Sequence, residues 1–275
     1  DIGVAMGITG TDVAKGAADM VLTDDNFSSI EKAVAEGRTI YTNIKKTVIF
    51  LLSSNFGEVF CMFAAIVSGL ASPLRAIHIL WVNLITDTLP GLALGADPGD
   101  KSVMNAKPRG QKEGLFSGGG LALTLSYGML IAILTLIAFL IEPVRAVGLD
   151  FTAIKEWLDA SQENLTIAQT YAFMTLATSQ IFHSIGMRNT NRSVFKMNHV
   201  ENKLMIVSFV VGIGLQVALT EIPALGDVFN VTQLGLSNWG IIFVLSIMPL
   251  VAHEIVVLVK FLKNRRTDLH SVTSA

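Results

Sequence analysis

Long apolar stretches, separated by short polar segments, make up most of the chain beyond residue 47. Each of six stretches is long enough to cross a bilayer as a helix. Their approximate limits are 48–69, 77–96, 119–142, 168–187, 204–222 and 238–259. No proline occurs in residues 27–69, so one long helix is predicted there, and its residues 27–47 form a polar cytosolic stalk. A break into two helices near Gly37 is the alternative.

The first 26 residues have a different pattern. Short apolar runs at residues 2–6 and 20–23 indicate buried strands, and Thr9 or Thr11 is placed to cap a helix over residues 12–18. Strand, helix and strand in this order are typical of the end of an α/β domain. The sequence therefore predicts a mainly α, polytopic membrane protein.

The predicted architecture has three parts. A short cytosolic α/β remnant covers residues 1–26, and the stalk leads from it into a six-transmembrane-helix bundle at residues 48–259. A cytosolic tail follows at residues 260–275. Hydrophobic residues make up 51% of the chain and charged residues 15%, which is a membrane-protein composition. The net charge of −2 gives no reason to expect a nucleic-acid partner.

The distribution of positive charge predicts the orientation in the membrane. If the N-terminus is cytosolic, all of the 20 Lys and Arg residues except Arg75, Arg145 and Lys155 lie on the cytosolic side. Because cytosolic loops are enriched in Lys and Arg, this orientation is favoured strongly over the opposite one. With six spans, both termini are then cytosolic.

The second apolar stretch carries polar residues at its centre. Asn83, Thr86 and Asp87 are spaced by three and four residues, which predicts one shared helical face. Pro90 lacks a backbone N–H, so the carbonyl of Thr86 is expected to lose its helical partner. An intramembrane carboxylate usually marks an ion path. The alternative is an Asp that is buried against another helix for structural reasons alone.

The first apolar stretch contains a matching pair, Asn55 and Glu58, three residues apart on one face. Two neighbouring spans thus each offer an amide and a carboxylate. Oxygen ligands of this kind bind Ca²⁺, which takes six to eight of them, and Mn²⁺ accepts similar ligands. Carriage of protons by the two carboxylates is the other interpretation.

Three segments resemble a known family. SSNFGEV and ILWVNLITDTLP are similar to the fifth and sixth transmembrane helices of P-type cation pumps. The calcium-transporting branch matches best, namely the sarcoplasmic-reticulum calcium pump and its bacterial relatives. The opening IGVAMGITGTDVAKGAADMVLTDDNF resembles the end of that family's phosphorylation domain. The sodium–potassium branch differs, with an Asp where Asn83 stands here.

The resemblance implies a set of metal ligands. The predicted ligands are Asn55, Glu58, Asn83, Thr86, Asp87 and Gln180. Gln180 stands where the pumps with two calcium sites have a Glu in the equivalent span. Because calcium affinity depends on the number of charged ligands, we expect the site that includes Gln180 to be weakened or lost, which leaves one Ca²⁺ per cycle.

The resemblance also implies the activity: a P-type Ca²⁺-transporting ATPase, a translocase that exports Ca²⁺ from the cytosol across a bacterial plasma membrane. The DKTGT sequence with the phosphorylated Asp and the GDGxND loop do not occur here. No catalytic or cofactor-binding residue is therefore assigned, and the segment alone is expected to be inactive. ATP and Mg²⁺ are expected on upstream domains.

The expected partners are the upstream nucleotide-binding, phosphorylation and actuator domains, the first four membrane helices and the lipid bilayer. An ion-coupled secondary transporter is an alternative, but it leaves residues 1–26 unexplained. A channel or membrane scaffold leaves the paired polar sets unexplained. Residues 97–117 are either a solvated connector or a contact with the phosphorylation domain. His183 and Gln216 are interpreted as structural contacts between helices.

Overall fold

The computed structural model describes residues 2–100, 102–110 and 113–273, with the side chains of the last helix described up to Lys263. It is mainly α, as the sequence predicts. The helices are α1 (Asp12–Ala17), α2 (Ser28–Val67), α3 (Ala76–Trp81), α4 (Thr88–Gly95), α5 (Gly120–Val147), α6 (Phe151–Ala160), α7 (Gln162–Met187), α8 (Lys203–Glu221), α9 (Pro223–Phe229), α10 (Leu236–Ser246) and α11 (Met248–Thr273).

A small α/β unit precedes the long helices. Strands β1 (Val4–Met6) and β2 (Met20–Leu22) pair in parallel, with α1 between them in sequence. Thr11 caps α1 by accepting from the amide of Ala14 at 3.2 Å, which confirms one of the two predicted caps. The loop after β1 is held by Asp25, whose carboxylate accepts from the amides of residues 8 and 9 and from the hydroxyl of residue 9. These hydrogen bonds lower the pKa of Asp25 to about 2.

Helix α2 runs through 40 residues without a break. Its length is therefore about 60 Å, which exceeds the apolar thickness of a bilayer by roughly a factor of two. The alternative of two helices that separate near Gly37 is wrong, because no neighbouring atom and no proline interrupts the helix there. The α/β unit and the predicted site residue Glu58 are joined by one continuous helix.

Among the described residues, five helical segments are long and apolar enough to cross a membrane. They are Ser28–Val67, Ala76–Gly95, Gly120–Val147, Lys203–Glu221 and Leu236–Lys263. The sixth predicted span, residues 168–187, lies in α7, which is 26 residues long but richer in Thr, Ser and Gln. That sixth span therefore stays a prediction.

Helix α7 is the centre of the bundle. Almost every residue from Ala168 to Met187 is buried, and α7 packs against α2, α4, α5, α8, α10 and α11. A helix enclosed by other helices does not face lipid, so it can carry polar side chains that hydrogen-bond inside the bundle. Its buried apolar residues, among them Tyr171, Phe173 and Leu176, belong to the largest hydrophobic cluster of the described chain.

The last span contains a break. Helices α10 and α11 are separated at Ile247, two residues before Pro249, whose missing N–H removes a helical hydrogen bond. Helix α11 then continues past residue 260, where the sequence predicts the start of a tail. Residues 274 and 275 of that predicted tail lie outside the described residues.

Helices α2 and α5 make the closest large contact in the bundle. A Cβ atom on Gly128 would lie 2.9 Å from the Cβ of Phe56 and 3.0 Å from the carbonyl oxygen of Ser53. A Cβ atom on Gly57 would likewise lie 2.9 Å from Cγ2 of Ile131. The two glycines thus let the backbones approach, as small residues do between membrane helices.

Replacement of Gly128 by Leu should force these helices apart. Overpacking of this kind costs about 1–3 kcal/mol, so the thermal unfolding temperature of the purified protein should fall. Gly214→Leu is the matched control, because a Cβ atom at Gly214 has no neighbour within 4 Å. Equal unfolding temperatures for the two variants would contradict the tight contact between α2 and α5.

Candidate cation site

The side chain of Glu58 lies at the centre of a polar cluster formed by three predicted spans. Asn83 donates from Nδ2 to Oε2 of Glu58 at 3.1 Å, and Gln180 donates from Nε2 to Oε1 at 3.4 Å. Glu58 is 5% exposed and Gln180 is fully buried. Helix α2, helix α7 and the span formed by α3 and α4 therefore meet around one carboxylate, and each contributes a predicted site residue.

Thr86 and Asp87 lie further along the span of Asn83, and both are buried. Gln216 of α8 donates from Nε2 to Oγ1 of Thr86 at 3.2 Å. Neither carboxylate oxygen of Asp87 has a hydrogen-bond partner within the described part of the chain. An ionised carboxylate in an apolar interior needs a cation or hydrogen-bond donors. Asp87 is therefore the group at this site that gains most from a bound positive charge.

A turn of π-helix, Val82–Thr86, connects α3 to α4. The amide of Asp87 donates to the carbonyl of Val82 at 2.9 Å, five residues back, instead of the usual four. The irregular backbone therefore begins before the place that Pro90 alone predicts. Single turns of π-helix inside α-helices are frequent at functional sites.

That Asn83, Thr86 and Asp87 share one face stays a prediction, and two of them contact different neighbouring helices. Asn83 contacts Glu58 of α2, whereas Thr86 contacts Gln216 of α8. The spacing rule assumes a regular α-helix, and the π-turn between these positions changes the directions of the side chains. The polar residues of this span consequently serve two different neighbours.

Further buried side-chain oxygens of the same helices have no hydrogen-bond partner among the described residues. They include Ser54 Oγ, Thr175 Oγ1, Thr178 Oγ1, Gln180 Oε1, Ser208 Oγ and Gln216 Oε1. Buried polar atoms in folded proteins are nearly always hydrogen-bonded. A group of such oxygens on the helices that carry Glu58 and Asp87 is chemically suited to a cation with oxygen ligands.

The predicted ligand Asn55 is less closely connected. It lies one turn before Glu58 on α2 and is half-buried. Among the described residues, no hydrogen bond joins Asn55 to the other five predicted ligands. Its role as a ligand remains a prediction that rests on its spacing from Glu58 and on the family resemblance.

Some residues of this region were not predicted to belong to it. They are Gln216, Ser54 and Thr178. Each is a polar residue within an apolar span, and this feature of the sequence is what could have indicated that they lie near the site. Gln216 is interpreted from the sequence as a contact between helices, and its hydrogen bond to Thr86 agrees with that. Which neighbour it contacts depends on the packing of α8 and could not be read from the sequence.

The donor atoms of this site are oxygens, which suit a hard cation. Within the described residues, no group of three or more His, Cys, Asp and Glu side chains could hold a metal ion. Two carboxylates, with amide and hydroxyl oxygens, are what this chain provides. Oxygen ligands of this kind suit Ca²⁺, Mg²⁺ or Mn²⁺ and do not select soft metals.

His183 has the structural role that the sequence predicts. Its Nε2 atom lies 2.9 Å from Oγ of Ser53 on α2, and its ring centroid lies 4.3 Å from that of Tyr127 on α5. It therefore connects three helices beside the polar cluster.

A second polar cluster, centred on Asp97, ties the helices together beyond the end of α4. The carboxylate accepts from Arg188 Nε at 3.0 Å and from Asn202 Nδ2 at 2.8 Å, and Lys46 Nζ lies 3.4 Å away. The backbone carbonyl of Asp97 accepts from Asn43 at 2.6 Å. One buried carboxylate thus links α2, α4, α7 and α8.

The loop after Asp97 lies against the stalk part of α2. Arg38 donates from Nη1 to the carbonyls of Val103 and Ala106 at 3.1 and 2.9 Å. The guanidinium carbon of Arg109 lies 4.3 Å from the centre of the Tyr41 ring, within reach of a cation–π interaction. The loop is therefore bound to α2 at these points, while most of its described residues are exposed, as the solvated connector predicts. A contact with the phosphorylation domain stays a prediction.

The sequence matches a known protein family over most of its length. The family described as "Cation transporting ATPase, C-terminus" matches residues 71–259. This chain belongs to that family. The match includes the span that carries Asn83, Thr86 and Asp87 and the helix that carries Gln180, whereas Asn55 and Glu58 lie before it.

Individual proteins of the cation transporting ATPase family extend the match to the N-terminal part. Calcium-transporting ATPase 1 of Bacillus cereus is 53% identical over 262 residues, which cover 94% of this chain and 29% of that protein. Calcium-transporting ATPase of Bacillus subtilis is 41% identical, over 90% of this chain and 26% of that protein. The endoplasmic reticulum-type calcium-transporting ATPase 3 of Arabidopsis thaliana is 35% identical, over 98% of this chain and 28% of that protein. The chain therefore spans less than a third of the length of these relatives.

Calcium should stabilise the protein that contains this chain if Asp87 is a ligand. A ligand at one hundred times its dissociation constant stabilises the folded state by about 2.7 kcal/mol. The thermal unfolding temperature should therefore rise with added Ca²⁺ in the wild type, and the rise should be lost in Asp87→Asn. The matched control is Asp227→Asn, an exposed acid on α9, which should respond as the wild type does. An undiminished calcium response in Asp87→Asn would place the site elsewhere.

Proposed function

We propose that this chain is the membrane part of an ATP-driven pump that exports Ca²⁺ from the cytosol. The observation that carries the proposal is the pair of buried carboxylates, Glu58 and Asp87, on two neighbouring spans, together with buried amide and hydroxyl side chains of the second span, α7 and α8. The calcium-transporting relatives support Ca²⁺ as the ion. The aspartyl phosphate forms on a domain upstream of this chain, where Mg²⁺ and ATP also bind.

Helix α2 provides the physical connection that such a pump requires. Transport needs a site whose ion affinity changes when a distant aspartate is phosphorylated. About 45 Å of continuous helix separates Ser28 from Glu58, and the α/β unit lies directly before it. The loop bound to Arg38 adds a second contact on the same helix. A displacement of the cytosolic domain would therefore reach Glu58 through a stiff element.

The competing functions explain fewer of these features. An ion-coupled secondary transporter would use Glu58 and Asp87 equally well, but it has no need of a parallel β-pair at the end of a long stalk. A pump for Mn²⁺ would use the same oxygen ligands. The relatives described above are calcium-transporting ATPases, which favours Ca²⁺ over Mn²⁺.

The hydrogen bonds of Glu58 favour one ion per transport cycle. Both of its carboxylate oxygens accept from amide groups, one from Asn83 and one from Gln180. These donors stabilise the carboxylate without a metal ion. A Glu in place of Gln180 could not donate when ionised, so it would leave a carboxylate pair that favours a cation. Glu58 then acts as a secondary ligand or as the carrier of counter-transported protons.

The single ion is bound chiefly by Asp87. Thr86 and Asn83 offer neutral oxygens beside it, and Asn55 extends the set on α2. Because Ca²⁺ takes six to eight oxygen ligands, the remaining ones come from an upstream span, which by resemblance supplies a Glu and backbone carbonyls. The full protein lies in a bacterial plasma membrane with both ends of this chain in the cytosol. Its upstream domains and first four membrane helices complete the pump.

Replacement of Asp87 by Asn in the full-length protein should abolish calcium-dependent phosphorylation by ATP. The reason is that the neutral amide removes the charge that attracts the ion. Phosphorylation from inorganic phosphate should persist, since that reaction requires an empty cation site. Both reactions are measured by incorporation of radioactive phosphate, with Asp227→Asn as the exposed control.

The paired measurement separates a lost ion site from a misfolded protein. A misfolded variant would lose both reactions, whereas the loss of the cation site removes only the first. Transport by Asp87→Asn at close to the wild-type rate would show that the ion binds elsewhere.

The number of ions can be tested through Gln180. The wild type should occlude one Ca²⁺ per phosphorylated pump, and Gln180→Glu should gain a second ion because the new carboxylate adds a charged ligand next to Glu58. Gln169→Glu is the matched control: it is a buried glutamine on the same helix, hydrogen-bonded to Arg75, and distant from Glu58. Two occluded ions in the wild type, or unchanged stoichiometry in Gln180→Glu, would contradict the proposal.

A further inference from the structure

A cavity of about 870 Å³ lies beside the stalk, between α2, α5, the loop after α4 and the region where α7 and α11 come together. It is separate from the polar cluster around Glu58 and Asp87, since none of the six predicted ligands lines it. On α5 its lining extends from Gly119 to Leu130, a distance of roughly 16 Å along the helix axis. The cavity is therefore an elongated groove that follows α5 from the loop towards the middle of the span.

The two ends of the groove differ in polarity. At the loop end the lining contains three lysines with hydroxyl and amide groups, namely Lys45, Lys46, Lys260, Thr39, Thr42 and Asn191. Towards the middle of the span it consists mainly of apolar side chains, namely Ile49, Leu123, Leu130, Ala252 and Val256. A ligand that fills the groove must therefore have a polar head and an apolar tail.

The polar end carries excess positive charge. Lys45 donates to the carbonyl of Ser117 at 2.7 Å, and Lys260 donates to the carbonyl of Thr190 at 3.1 Å, so both hydrogen-bond to neutral oxygens that do not cancel their charge. Lys46 shares the carboxylate of Asp97 with Arg188. Among the described residues, the one acid in the lining is Asp100, against three lysines. The head of the ligand should therefore be an anion.

We propose that this groove binds one anionic phospholipid, with the phosphate between Lys45 and Lys260 and an acyl chain along Leu123 and Leu130. Basic pockets between membrane helices near the cytoplasmic boundary bind anionic lipid headgroups. A free phosphate would use only the polar end of the groove, and a lipid without net charge would gain little from the lysines. The proposal needs only that the chain lies in a membrane, so it does not depend on the ion that is transported.

Such a lipid would touch both the stalk and the last helix. Lys45 lies on α2, two residues from Asn43 of the Asp97 cluster, while Lys260 lies on α11. The lipid headgroup would thus bridge two helices that contact each other little within the described chain. Anionic lipid should therefore act as a structural ligand of the base of the stalk.

The test uses the full-length protein, freed of lipid in detergent and titrated with phosphatidylglycerol or phosphatidylcholine, with bound lipid counted by native mass spectrometry. One phosphatidylglycerol should bind in preference to phosphatidylcholine. Lys45→Gln with Lys260→Gln should weaken that binding roughly tenfold or more, since each lysine near an anionic headgroup contributes about one factor of five. The matched control, Lys196→Gln with Lys203→Gln, removes two exposed lysines outside the groove and should bind as the wild type does.

A second variant tests whether binding needs the groove itself. Ala122→Trp adds a bulky ring to an exposed position of the lining and should block phosphatidylglycerol while it leaves all lysines in place. Undiminished binding in Ala122→Trp would mean diffuse attraction to the lysines without a groove, and would overturn the proposal. So would equal binding of the two lipids, an unchanged double lysine variant, or inorganic phosphate that competes as well as the lipid does. Lys260→Gln alone, at an exposed site, should show a smaller loss and serves if the double variant does not fold.

Discussion

The cost of burying charge in an apolar interior controls the arrangement of this membrane domain. Glu58 and Asp87 are both almost inaccessible, and an isolated carboxylate in such a place is unfavourable by several kcal/mol. The two residues meet this cost differently. Glu58 receives one amide donor on each oxygen, whereas Asp87 receives none from the described residues. The fold thus satisfies Glu58 internally, whereas Asp87 would gain more from a bound cation, as the proposed function requires.

The same constraint explains why a helix rich in hydroxyl and amide side chains lies buried at the centre of the bundle. Gln180 can reach Glu58 only from a helix at the centre of the bundle, so α7 carries hydroxyl and amide groups that lipid would not tolerate. Because α7 is enclosed by other helices, it does not need an apolar surface towards lipid. Around it, the more apolar helices α5, α8 and α10 shield its polar groups, and their outward faces remain apolar.

The apolar pattern predicted the unbroken helix α2 and the approximate positions of the other long helices, because length and lack of proline determine them locally. The number of six spans stays a prediction, since five of the described helical segments are long and apolar enough to cross a membrane. The family resemblance, and not the apolar pattern, placed Glu58, Asn83 and Gln180 in one predicted ligand set, and hydrogen bonds join their side chains. What the sequence could not provide are features that depend on packing. The contact of Gln216 with Thr86 and the burial of Asp97 among three other elements arise from helix positions in space. The π-turn was missed because Pro90 marks only its downstream side.

The π-turn changes the direction in which the later residues of the span point around the helix axis. One additional residue in a turn places every later residue about 100° behind its position in a regular helix. The half of the span before Val82 and the half after Thr86 are therefore offset around the common axis. In this span Asn83 contacts α2 and Thr86 contacts α8, and both residues lie within the π-turn Val82–Thr86. Rewinding of that turn to regular α-helix would rotate Asp87 and all residues after it together, as a rigid half-helix, relative to Asn83.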